Sequence, residues 1–119
     1  MAALGLGLVA LSEDRLKDAE EKFLEALSLQ EESYGKDHPD IAFATLSLAN
    51  VHRRQGRAQN AEVGFKRALE LRAATVASAR PLFRRTVKDY ASFLIEQERA
   101  TDVRALLERF ELTESELGI

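Results

Sequence analysis

Few residues in this 119-residue chain could do chemistry, and their spacing speaks against catalysis. The candidates are His38, His52 and the serines Ser47, Ser78 and Ser92. A zinc site needs Cys and His at short fixed spacing, and the chain has two His far apart and no Cys. A serine nucleophile elbow needs flanking glycines, which none of these serines has. A phosphate loop needs clustered Gly followed by Lys and Ser or Thr, and no such run is present. His38 sits in Asp37-His38-Pro39-Asp40, which reads as a helix start. Pro39 suits the first helical position, where a missing N–H costs nothing. Asp37 or His38 caps it, and Asp40 favours the positive end of the helix. No catalytic residue, metal ligand or cofactor is therefore expected, and the chain is read as not an enzyme.

Composition narrows the class further. Hydrophobic residues make up 45% and charged residues 31%, ordinary for a globular protein. The net charge of −3, with acids and bases interspersed, speaks against a nucleic-acid binder. Residues 1–11 are apolar, but no basic residue leads them and they reach only about half the length of a membrane span. They are read as a first helix, with no membrane partner. The absence of Cys is compatible with a reducing compartment, and a cytoplasmic location is the expectation.

The elements that must position any binding residue come from an internal repeat. Ala19, Phe23, Ala26, Leu27 and Leu29 return 42 residues later as Ala61, Phe65, Ala68, Leu69 and Leu71. Arg15, Arg57 and Arg99 share the offset, as do Leu6, Leu48 and Tyr90, Gly7, Ala49 and Ala91, and Pro39 and Pro81. The third copy is looser, with Val103, Leu107 and Phe110 in the Ala, Phe and Ala places. Positions i, i+4 and i+7 share one helix face, so each unit is an antiparallel helix pair in which small and large residues interlock.

The pattern predicts helices over about 2–11, 15–33, 39–55, 57–78, 81–97 and 100–110, with a short helical tail within 112–117 stopped by Gly118. One of Ser12, Glu13 and Asp14 is expected to cap the second helix. Ala42, Thr45, Leu48, Ala49 and His52 form the packing stripe of the third. Leu4, Leu6, Leu8, Val9 and Leu11 surround the first helix, and a helix apolar all round is normally buried on all sides. The start of a helical array is usually a polar cap. The chain is therefore read as a fragment of a longer array, or as one whose first helix is covered by something else.

Leu6-Gly7 followed by Ala19-x3-Phe23 and Ala26 resembles the tetratricopeptide repeat. The 42-residue unit and the segment from Tyr34 to Asp40 resemble the long repeats of the kinesin light chain type. The resemblance implies an all-α fold, a right-handed superhelix of about three helix pairs. It is read as one domain over 1–119, with repeats at about 1–37, 38–79 and 80–112 and a tail at 113–119. It implies a non-catalytic protein-interaction module holding a peptide or helix of a partner in its concave groove.

In that family the first helix of each pair lines the groove. Carried over by register, the resemblance gives three layers. The first is Met1, Leu4, Leu8 and Leu11; the second is Phe43, Leu46, Asn50, Arg53 and Arg54; the third is Arg85, Lys88, Ser92 and Ile95. The resemblance implies that Asn50 holds peptide backbone, since an amide both donates and accepts. Arg53, Arg54, Arg85 and Lys88 would form a basic patch suited to carboxylates, so an acidic partner is expected, over an apolar floor of Phe43 and Leu46. The carboxylate clamp of chaperone-binding members is not matched, because Leu4 and Leu8 stand where it needs Lys and Asn. A structural alternative is self-association into a homo-oligomer through Leu4, Leu8 and Leu11.

Overall fold

The computed structural model describes residues 2–73 and 80–119. Seven α-helices follow one another, with no strand among the described residues: α1 (Ala2–Ser12), α2 (Leu16–Tyr34), α3 (Ala42–Arg54), α4 (Ala58–Ala73), α5 (Arg80–Glu96), α6 (Ala100–Phe110) and α7 (Glu114–Leu117). α1 and α2, α3 and α4, and α5 and α6 pack as pairs, and α2 on α3 and α4 on α5 join one pair to the next. The expected continuation of the fourth helix to residue 78 lies outside the described residues, as does Met1.

The three turns inside the pairs are built alike, and not by side-chain caps. Asp14, Gly56 and Glu98 occupy one repeat position, and all three are left-handed, with φ of 59°, 75° and 58°. In each turn the next residue donates its N–H back over five positions: Arg15 to Ala10, Arg57 to His52 and Arg99 to Leu94, at 2.8, 2.9 and 2.9 Å. This satisfies a carbonyl at the helix end while reversing the chain. The cap expected from Ser12, Glu13 or Asp14 is not formed: Arg15 holds the cap position with no side-chain bond, and Ser12 Oγ donates to the Val9 carbonyl instead. At Pro39–Ile41 a 3-10 turn leads into α3, and His38 Nδ1 accepts from the Asp40 N–H, so of the two expected caps, Asp37 and His38, it is His38 that forms one.

The core follows the interlocking pattern. Ala19, Phe23, Ala61 and Phe65 are fully buried at equivalent places. Phe65 packs on Phe93 and Tyr90, with ring centres 5.4 and 5.8 Å apart. Small residues set the helix spacing. A methyl group added at Gly7 would meet the Phe23 ring at 2.7 Å, and one at Gly64 would meet Ala49 at 2.8 Å. The helix buried on nearly every side is α3, where Ala42, Ala44, Thr45, Leu46, Ser47, Leu48, Ala49, Val51 and His52 are all buried. Thr45 and Thr86 satisfy their buried hydroxyls by donating to the carbonyls of Ile41 and Leu82 one turn back.

α1 differs from the expected buried helix. Its small residues Ala3, Gly7 and Ala10 face the core, while Leu6, Leu8 and Val9 are exposed. Leu4 and Leu11 are half-buried against the cluster of Ala10, Phe23, Leu48 and Val51. The tail helix α7 is fixed by a reciprocal capping box between Thr113 and Glu116 and ended by left-handed Gly118. Leu117 reaches into the core of the last pair.

Candidate functional site

Of the residues expected to face a partner, those of the second and third layers lie on α3 and α5, which run side by side. Two polar contacts fix them. Asn50 Nδ2 donates to Asp89 Oδ2 at 3.1 Å, and Arg53 Nη2 reaches Glu96 Oε1 at 3.1 Å. Asn50 also donates to the Leu46 carbonyl and accepts from Arg53 Nη1 at 3.4 Å. Arg85 Nε lies 3.8 Å from Asp89, one turn along α5. Arg53, Asn50, Asp89 and Arg85 thus form one row across both helices, with half-buried Ser92 one turn beyond Asp89.

This row alternates in charge. Arg53 and Arg85 each face a carboxylate of α5, and neither Asp89 nor Glu96 stood out from the spacing alone. Arg54 is not part of the row. It turns to the other pair, donating to the Leu11 carbonyl and lying 3.8 Å from Asp14. The expected apolar floor is also reduced: Leu46 is buried in the core with Ala49 and Phe65, leaving half-buried Phe43. The cationic end sits on α5. Arg84, Arg85 and Lys88 line a cleft of about 450 Å³ with Pro81, Asp89 and the tail residues Glu116 and Leu117. Arg84 Nη2 is 3.4 Å from Glu116 Oε2, so the tail borders this end.

Of the three residues expected to self-associate, only Leu8 is exposed, and Leu6 and Val9 are the more open apolar residues of α1. The register explains both outcomes. Leu8 is the counterpart of Asn50 and Ser92 in the row expected to face a partner, whereas Leu6 and Val9 are counterparts of Leu48 and Val51, which point to the preceding pair.

A second set of polar contacts joins the pairs. Arg57 Nη1 donates to Glu20 Oε2 at 2.6 Å, and His52 Nε2 lies 3.0 Å from the same oxygen. One repeat later Arg99 Nη1 reaches Glu62 Oε2 at 2.8 Å, and the Tyr90 hydroxyl donates to it at 3.1 Å. Burial pushes the Glu20 carboxyl up, but the bonds from His52, Arg57 and Gln55 outweigh it and hold the group below its ordinary value. Glu62 is held low chiefly by Arg99, against the opposing effect of burial. Burial and the adjacent Glu62 charge push the Tyr90 hydroxyl up to about 12. His52 thus has a structural partner, and these clamps were readable as Glu20 and Glu62, and Arg57 and Arg99, each 42 apart.

Among the described residues no group of three His, Cys, Asp or Glu could hold a metal ion, and no helix is long and apolar enough to cross a membrane. A comparison with curated proteins finds no match. The family model described as "Tetratricopeptide repeat" matches residues 1–74, more than half of the chain and the whole of its first two turns and their helices. With the 42-residue register, the interlocked Ala and Phe positions and the all-α pairs, the chain belongs to the tetratricopeptide repeat family.

Proposed function

We propose that this chain is a non-catalytic interaction module that holds a peptide or helix of a partner protein across α3 and α5. Repeats of this family generally bind protein partners. The observation that carries the reading is the continuous polar row of Arg53, Asn50, Asp89 and Arg85, which spans two helices on one surface. Such a surface exists before the partner arrives, so little chain entropy is lost on binding. Partner carboxylates exchange with Asp89 and Glu96 for the guanidiniums of Arg85 and Arg53, while Arg84 and Lys88 favour an acidic segment at the α5 end. Asn50 then presents its amide to partner backbone. Phe43 supplies the apolar contact and Ser92 a hydroxyl. A cytoplasmic setting, with no nucleic-acid or membrane partner, belongs to the same reading.

A labelled peptide with Glu residues flanking a Leu tests it by fluorescence anisotropy. Saturable binding is expected, and Arg85→Glu with Lys88→Glu should weaken it by about tenfold or more, the scale of losing paired charges. Arg104→Glu, on α6, should leave it unchanged. Equal binding of a matched basic peptide, or no binding of the acidic one, overturns the reading.

A second, structural reading is favoured by the exposed apolar residues of α1, which make that helix an interface. Self-association through it would appear as a concentration-dependent mass in light scattering, lost in Leu8→Glu. Leu4 is unsuited to that test because it also packs on the core.

A further inference from the structure

The apolar surface of α1 is two surfaces. Leu8 lies in the partner-facing row. Ala2, Leu6 and Val9 lie in another row, whose counterparts are Ala44, Leu48 and Val51 on α3 and Thr86, Tyr90 and Phe93 on α5. In both later helices that row packs against the second helix of the preceding pair. Leu48 and Val51 cluster with Ala19 and Phe23 of α2, and Tyr90 and Phe93 pack on Phe65 of α4. Val51 is 0% and Phe93 1% exposed, whereas Leu6 and Val9 are each 52% exposed.

A charge marks the same surface. Arg57 and Arg99 begin the second helices of their pairs and reach back to Glu20 and Glu62 on the preceding second helix. Arg15 stands at the same register, on the side of α1 and α2 that carries Leu6 and Val9. It bonds only its exposed neighbours Glu13 and Asp18, at 2.6 and 3.0 Å. α1 itself, AALGLGLVALS, has no ionisable side chain, so Arg15 supplies the charge selectivity of this face.

We propose that Ala2, Leu6, Val9 and Arg15 form a docking surface for an amphipathic helix of a partner protein, built like α2: an apolar stripe to cover the strip and a glutamate near its start to pair with Arg15. A second copy stacked head to tail does not fit. In α6, the second helix of the third pair, the place held by Glu20 in α2 and Glu62 in α4 is held by Arg104, which would meet Arg15 as a like charge. This surface lies apart from the row around Asn50, so the inference stands whether or not that row binds a peptide.

The probe is a peptide of the α2 sequence, Leu16–Tyr34, held helical by a hydrocarbon staple on its exposed face, with binding to the full chain read by anisotropy. Binding is expected to fall about tenfold or more for Arg15→Glu, which removes an attraction and adds a repulsion, and to be lost in Leu6→Glu with Val9→Glu. The Glu20→Lys peptide should bind the Arg15→Glu chain better than it binds the parent. Circular dichroism of each variant confirms that the helices persist. Absence of binding to the parent overturns the proposal. So does binding that ignores Arg15 and responds to Arg57, since the peptide would then have displaced the chain's own α2. A concentration-dependent dimer lost in Leu6→Glu with Val9→Glu, and not dissociated by the peptide, assigns the surface to a second copy and equally overturns it.

Discussion

Arg99 donates to the Glu62 carboxylate across the junction of the second and third helix pairs, Nη1 to Oε2 at 2.8 Å, on an oxygen that also accepts from Tyr90. The bond makes folding sensitive to acid. Glu62 is lowered from its ordinary value in the folded chain, so its contribution is full above the unfolded value of about 4.3 and fades as pH falls through the lower folded value. Glu62→Gln should therefore be less stable than the parent at neutral pH. The gap should close below about pH 4. Urea unfolding at a series of pH values checks this, and a gap that stays constant down to pH 2 contradicts the clamp.

The two halves of a neighbouring pair of residues should behave oppositely. Phe65 is fully buried between Tyr90 and Phe93, and Phe65→Ala should cost roughly 3–5 kcal/mol. Lys66 is exposed and only 3.8 Å from Glu62 one turn back, so Lys66→Ala should cost under about 0.5 kcal/mol. Denaturant midpoints of the two variants decide it, and equal losses contradict the packing register.

Gly5 and Gly7 of α1 separate propensity from packing. Nothing lies within 4 Å of a methyl group added at Gly5, so Gly5→Ala should stabilise by up to about 1 kcal/mol through helix propensity. At Gly7 the methyl would press on the buried Phe23 ring, and the overpacking cost of about 1–3 kcal/mol should exceed that gain. Thermal melts should order the chains Gly5→Ala, parent, Gly7→Ala from most to least stable.

The repeated turn offers a stabilising change. Glu98 holds the left-handed conformation that Gly56 holds one unit earlier. Strain on the side chain of about 1–2 kcal/mol is partly offset by the extra unfolded-state freedom of Gly, so Glu98→Gly should gain about 0.5–1 kcal/mol. Gly56→Ala should lose a comparable amount. Calorimetry on both variants reads the signs.

Much of this architecture was legible because it is periodic. Ala19, Phe23, Ala61 and Phe65 declared the helix pairs, and Asp37-His38-Pro39-Asp40 declared a helix start, though not which of Asp37 and His38 caps it. The cap at the first turn was misread because it was sought in a side chain, whereas Asp14, like Glu98 in the third turn, acts through its backbone. Recognising them needed the equivalence with Gly56, which the 42-residue offset supplies. Asn50, Arg53 and Arg85, expected in neighbouring layers, do lie together across α3 and α5, but the carboxylates among them were not read. Asp89 and Glu96 lie on the second of two neighbouring helices, 39 and 43 residues from the α3 side chains they meet, and a one-helix pattern does not show which opposing side chain closes on which. Leu6 and Val9 looked like any other leucine and valine of an apolar helix until their buried counterparts Leu48 and Val51 showed which face they serve.

Among the described residues the polar links between units join adjacent units. Arg57 to Glu20 spans 37 positions, Asn50 to Asp89 spans 39 and Arg54 to Leu11 spans 43. The protein is thus mechanically a row of hinged links. Pulled from its ends, it should lengthen in steps, each released pair of 42 residues adding about 14 nm of contour.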